Sequence, residues 1–202
     1  MATRYRTAAL ALLVAPALVQ AGIFGNSGSS SQKLEPNVQI TLPKALKLRA
    51  YPMPIPGASN YRIDTGSMRI AITGIPLDLG GEPAPTRTDG ELKESTLQGA
   101  VQYRAGASNP DASPNQLKGA GWTATYVSYS AKAGSPGFVP FMGAAYKCVS
   151  TGQITTARTA FVVTAGSPDC SGAELQRFLK ALETITVDSN GWAGPTPLRG
   201  AA

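Results

Sequence analysis

The stretch from Gly121 to Thr164 constrains the fold of this chain more than any other. Gly121 to Ala131 (GWTATYVSYSA) is crowded with Thr, Tyr, Val and Trp, side chains that fit a pleated, half-buried surface. Gly134-Ser-Pro-Gly137 turns the chain. Phe138 to Val149 reads as a second strand, Thr151-Gly152 as a tight turn, and Gln153 to Thr164 as a third strand. Strands joined by such short connections pair antiparallel, so this segment commits the chain to a sheet.

Beyond Cys170 the apolar period changes. From Ser171 to Ile185, Leu175, Phe178, Leu179, Leu182 and Ile185 form one apolar stripe, with Arg177, Lys180 and Glu183 off it. That spacing predicts an amphipathic helix. Ser171-Gly-Ala-Glu174 matches a capping box, and Ser167-Pro168 offers an alternative start one turn earlier. The two cysteines, Cys148 and Cys170, lie at the end of a strand and in the first turn of this helix. If the chain is exported, as its N-terminus (below) predicts, an even pair reads as one disulfide that clamps the helix to the sheet. The alternative is two separate buried thiols.

Upstream, Val38 to Leu42 alternates as a strand, and Ala45 to Ala50 extends it after a bend at Pro43. Tyr51 to Pro56 carries three prolines in six residues and is excluded from a central strand. Asn60 to Asp64 and Ser67 to Ile75 read as strands around Asp64-Thr-Gly66. In the second of them Met68, Ile70 and Ile72 face one way, and Arg69, Ala71 and Thr73 the other. Thr88-Asp-Gly-Glu91 is a capping box that opens a helix to about Arg104. The loops Pro76 to Asp89 and Ala107 to Gly119 are rich in turn residues.

This order predicts an α+β class: a single antiparallel sheet covered by helices, with its C-terminal amphipathic helix held by the disulfide. The late three-stranded run from Trp122 to Thr164 and the closing helix Ser171 to Ile185 resemble the PsbP/Mog1-like fold group, over about Val38 to Val187. The disulfide and the Pro-rich Tyr51 to Pro56 segment depart from that pattern. The resemblance implies a small accessory or binding protein, and no functional residue transfers with it.

At the start, Arg4 and Arg6 precede an Ala/Leu/Val run that ends at Val19-Gln-Ala21, the layout of a secretory signal cleaved after Ala21. About a dozen apolar residues are too few to cross a bilayer core of about 30 Å as a helix. The expected layout is a signal at 1–21, a flexible leader at 22–37, one domain at 38–188 and a loose tail at 189–202 containing Trp192. Without Arg4 and Arg6 the balance is 16 basic to 12 acidic side chains, a net of +4. That charge is too small and too dispersed to specify nucleic acid. The expected location is outside the cytoplasm, in the periplasm or beyond.

The chain contains no histidine, which removes Ser-His-Asp and Cys-His nucleophile systems and His-ligated zinc. No metal or cofactor is expected. Ser30 and Lys33 have a Ser-x-x-Lys spacing but lie in the leader. Ser128 and Lys132 are four apart in a strand. Asp64, Asp78, Glu82, Asp89, Glu91 and Glu94 are the carboxylates available for glycoside hydrolysis, and the last three fit the first turn of a helix equally well. The positive signal is a basic strip. Lys44, Lys47, Arg49, Arg62 and Arg69 fall within 26 residues that hold a single acid, Asp64. Tyr51 and Tyr61 are nearby. The strip predicts binding through Lys47, Arg49, Arg62 and Arg69 to an acidic protein or an anionic envelope polymer, against the alternative of an ordinary charged sheet edge. The expected function is a non-catalytic, exported binding or accessory protein, an inhibitor or immunity-type protein being one version. A carboxylate-based hydrolase of envelope polymers and a structural part of an envelope assembly are the rivals.

Overall fold

A computed structural model describes residues 28–53, 57–77, 87–141 and 143–188. The signal, the first part of the leader, the tail with Trp192, residues 54–56 of the Pro-rich segment, and the acids Asp78 and Glu82 lie outside the described residues.

Seven strands form the main sheet, in the order β3 (Arg49–Tyr51), β4 (Ser59–Asp64), β5 (Arg69–Pro76), β11 (Thr159–Ser167), β10 (Cys148–Thr156), β7 (Trp122–Ser130), β6 (Asn115–Gly119). Every neighbouring pair in it is antiparallel. A smaller sheet joins β1 (Ser29–Glu35), β2 (Val38–Pro43) and β12 (Thr186–Val187), and β8 (Phe138–Phe141) pairs with β9 (Ala144–Tyr146) as a hairpin. The described helices are short: α1 (Asp89–Gly99), α2 (Val101–Arg104) and α3 (Ala173–Ala181), the last continued by a 3-10 turn at Leu182–Thr184.

The period-two alternation of β5 and β11 gives the main sheet two unlike faces. Ile70, Ile72, Phe161, Val163 and Ala165 point inward and are buried, together with Ile154, Ala124 and Trp122 of neighbouring strands. This inner face is covered by two elements. Leu34, Val38, Ile40 and Leu42 come from the small sheet, and Leu175, Phe178, Leu179 and Leu182 from α3 and its extension. Tyr61 ties the layers by donating its hydroxyl to the Leu34 carbonyl. The cavity between α3 and the sheet is only about 10 Å³, room for no more than one water.

The outer face is covered on one half. There Ala100, Tyr103, Ala107 and Phe138 close over Val127, Tyr129 and Val149. Helix α1 begins with the expected capping box, Thr88 and Glu91 each bonding the other's backbone N–H, and breaks at Ala100 before α2. It buries only Leu92 and Thr96. Its other ties to the sheet are polar: Thr96 donates to the Thr125 carbonyl at 3.4 Å, and Gln153 to the Leu92 carbonyl at 3.0 Å.

Several expectations are corrected. The fold is mostly β, with three sheets among the described residues, and not a single sheet covered by helices. A second sheet does much of the covering that helices were expected to do. The leader gives way to β1 from Ser29 onward, where Leu34 is fully buried. Its Ser/Gly-rich composition hid a strand that pairs with β2. Ala45 to Leu48 is not a strand, and β6 lies in the stretch expected to be loop. Phe138 to Val149 is divided between the β8–β9 hairpin and the start of β10, Gly143 (φ 89°) standing at the turn. Thr151 and Gly152 are interior to β10, and the chain reverses after Thr156 instead. Gly152 is needed there, since a Cβ would lie 2.1 Å from the Thr125 carbonyl oxygen. The second capping box is also absent: the N-cap of α3 is Gly172, without a side-chain bond. Ser171 instead donates to Asp169 at 2.7 Å.

Cys148 and Cys170 form the expected disulfide, with Cα atoms 5.0 Å apart. It joins the first residue of β10 to the segment entering α3. Closing a loop of 22 residues contributes about 3 kcal/mol by chain entropy. Reduction, or Cys148→Ser, is expected to lower the melting temperature by roughly 5–10 °C; an unchanged melting curve would show that the bond is not restraining the unfolded chain. Gly152→Ala should cost more than about 2 kcal/mol in denaturant unfolding through overpacking against Thr125 and Tyr126, whereas Gly66→Ala, facing open space, should cost only its strained φ.

Candidate functional site

The half of the outer face that no described element covers spans β3, β4, β5 and β11. Pairing registers place Arg49 directly opposite Arg62, and Tyr51 opposite Asn60. On the next strand Arg62 faces Ala71, Asn60 faces Thr73, and Asp64 faces Arg69. Thr164 and Val162 of β11 continue the Ala71 and Thr73 rows. All of these residues share one face, since they keep the same parity along their strands.

The basic strip is therefore real as a juxtaposition, but its members differ. Arg69 Nε donates to Asp64 Oδ1 at 2.6 Å, and this bond raises the guanidinium pKa. Its Cζ also lies 5.9 Å from the Phe141 ring centroid. Arg69 is thus neutralised within the sheet. Arg62 has its Cζ 4.6 Å from the Tyr51 ring centroid, a cation–π contact that orients the guanidinium without cancelling its charge. Arg49 and Arg62 are both exposed, and no ion pair with an acid is present for either among the described residues. Like charges directly opposite each other on a strand pair are unfavourable, so these two arginines hold unbalanced charge at the cost of local stability. Lys47 is exposed in the β2–β3 connection, outside the strands. Lys44 is in a turn where its backbone N–H donates to the Gly28 carbonyl at 2.9 Å.

Sequence reasoning missed the rim of this face. Phe141 reaches Arg69, and Tyr146 lies over Gly166, where a Cβ would stand 2.5 Å from its ring. The two aromatic rings meet edge to face at 6.1 Å. Gly143, which signals the hairpin turn that presents them, was the clue.

Most of the other candidates that fall among the described residues have partners within the fold. Ser30 and Lys33 stand three apart on β1, which puts them on opposite faces. Ser128 points to the inner face and shares a 2.5 Å bond with Ser150, while Lys132 Nζ donates to the Ala105 carbonyl. Asp89 accepts from Lys118 at 2.6 Å, which lowers its pKa. Bonds from the Thr88 backbone and hydroxyl hold the Glu91 carboxyl down. Glu94 is exposed on α1. Glu174, at the start of α3, accepts from Ser67 at 2.6 Å and Thr65 at 2.9 Å, and both bonds lower its pKa. Among the described residues, no three metal-ligating side chains gather, and no helix is long and apolar enough to cross a membrane.

No protein-family model matches this chain, and no curated protein matches it. A solved structure of a Bacteroides thetaiotaomicron VPI-5482 protein is similar at 11% identity with a TM-score of 0.40, covering 78% of this chain and 47% of that one. The chain thus spans about half the length of that protein.

The Glu174 bonds carry a pH dependence. A carboxyl whose folded pKa is depressed stabilises the fold above its unfolded pKa and loses that contribution as pH falls through the folded value. Between pH 6 and pH 3, stability of the wild type should therefore fall more steeply than that of Glu174→Gln, with the two curves converging at the acid end. Parallel curves in urea titrations across that window would remove Glu174 as a tie between α3 and the β4–β5 turn.

Proposed function

We propose that the chain is an exported, non-catalytic binding protein that docks an anionic partner on the open outer face of β3, β4, β5 and β11. The observation that carries this reading is the pair Arg49 and Arg62, opposed across two strands with neither charge balanced by an acid among the described residues. An anionic group between them relieves their repulsion and gains charge-assisted hydrogen bonds at once. The Cys148–Cys170 disulfide supports a working place outside the reducing cytoplasm. The partner class, an acidic protein or an anionic envelope polymer, follows from charge.

A hydrolase would need one carboxyl held neutral by its surroundings to act as the acid. Among the described residues the shifted carboxyls of Asp89, Glu91, Asp169 and Glu174 all move downward, so none of these four is suited to be that acid.

The double variant Arg49→Glu/Arg62→Glu should lose most of its co-sedimentation with a cell-envelope fraction at about 50 mM salt, where such charge contacts are weakly screened. Exchanging Asp64 and Arg69, which keeps their pair neutral, should leave it intact. Truncating Arg62 to Ala should change the melting temperature little, because the repulsion it removes offsets the lost contact with Tyr51. Equal co-sedimentation of all variants would mean that the strip is only solvated surface.

A further inference from the structure

The described part of the open face is small, and its size and chemistry bear on the choice of partner. Four strands about 4.8 Å apart, with outward residues every 6.8 Å or so, give a patch of about 20 by 20 Å, roughly 400 Å². A stable protein–protein interface takes about 800 Å² from each partner. Described elements limit the patch on two sides. On one side Phe141 and Tyr146 of the β8–β9 hairpin rise over Arg69 and Gly166. Farther across the sheet, α1 occupies the surface above Thr125 and Gln153. A single extended chain fits across the described patch.

The chemistry of the floor selects among chains. Beside the Arg49–Arg62 pair lie Asn60, Thr73 and Thr164, which offer neutral hydrogen-bonding groups, with Ala71 keeping the floor shallow and exposed Val162, opposite Thr73, adding an apolar spot against which a sugar ring can lie. Neutral amides and hydroxyls match a hydroxyl-rich ligand. A peptide would instead use the free edge of β3. That strand has only three residues and runs straight into Pro52, which has no N–H to offer. The Tyr51 ring, with the Arg62 guanidinium against it, adds a flat surface at the rim.

Building on the reading that this face is the binding surface, we infer that its occupant is a linear acidic polysaccharide, with one carboxylate held between Arg49 and Arg62 and the adjoining sugar rings over Asn60, Thr73 and Thr164. Calorimetric titration of the full chain with hexagalacturonate, hexaglutamate and the neutral hexasaccharide maltohexaose tests this. Hexagalacturonate should bind at about 50 mM salt and more tightly than hexaglutamate, and maltohexaose should bind far more weakly than either. Arg49→Gln/Arg62→Gln should weaken hexagalacturonate by at least about tenfold, the loss of a charge-assisted hydrogen bond. Thr73→Val should weaken hexagalacturonate while leaving hexaglutamate unchanged. Unaltered melting curves establish that these exposed-face variants are folded. Tighter binding of hexaglutamate, or equal loss of both ligands in Thr73→Val, overturns the polysaccharide while leaving the anion-docking reading in place. If neither anion binds, or the double Gln variant binds both as the wild type does, the inference and that reading fall together.

Discussion

Every second side chain of β5 and β11 belongs to one side of the main sheet, and the rest of the architecture answers to that alternation. Ile70, Ile72, Phe161 and Val163 create an apolar surface that water must leave. One helix cannot cover it, since α3 presents a single narrow stripe. The small sheet supplies the remainder, and Leu34 and Ile40 become as buried as any residue in the chain. The opposite parity, Arg69, Ala71 and Thr73, is thereby left to solvent or to a ligand.

Much of this was legible in the chain. The alternation from Met68 to Thr73, the Thr88–Glu91 cap, the apolar stripe of α3 and the cysteine pairing are local patterns with local causes. The features that escaped are non-local. Ser29 to Glu35 is nearly all polar, and its strand exists because β2 offers it a partner and the core offers Leu34 a place. Gly152 looks like a turn residue in sequence. Its reason is a backbone 2.1 Å from where its Cβ would be, which only the assembled sheet reveals.

The strip was legible as composition but not as electrostatics. Spacing alone grouped Arg69 with Arg49 and Arg62. Register separates them, because Asp64 falls opposite Arg69 while Arg49 falls opposite Arg62. A shift of one strand by two residues would have redistributed those partners. Charge at a surface is thus a property of pairing as much as of sequence. The same register brings Tyr51 within reach of the Arg62 guanidinium.

The two longer helices that flank the main sheet are fastened in unlike ways. Helix α3 has a covalent bond at its entrance, a carboxylate anchored by two hydroxyls, and four buried apolar or small side chains along its length. Helix α1 has buried Leu92 and Thr96, two hydrogen bonds to the sheet and a surface ion pair, and exposed pairs contribute little. Helix α1 is therefore the less firmly held of the two, and partial opening that starts there would bare the strands beside the arginine face while the cluster of Tyr103, Phe138 and Tyr129 and the far layer keep their shape.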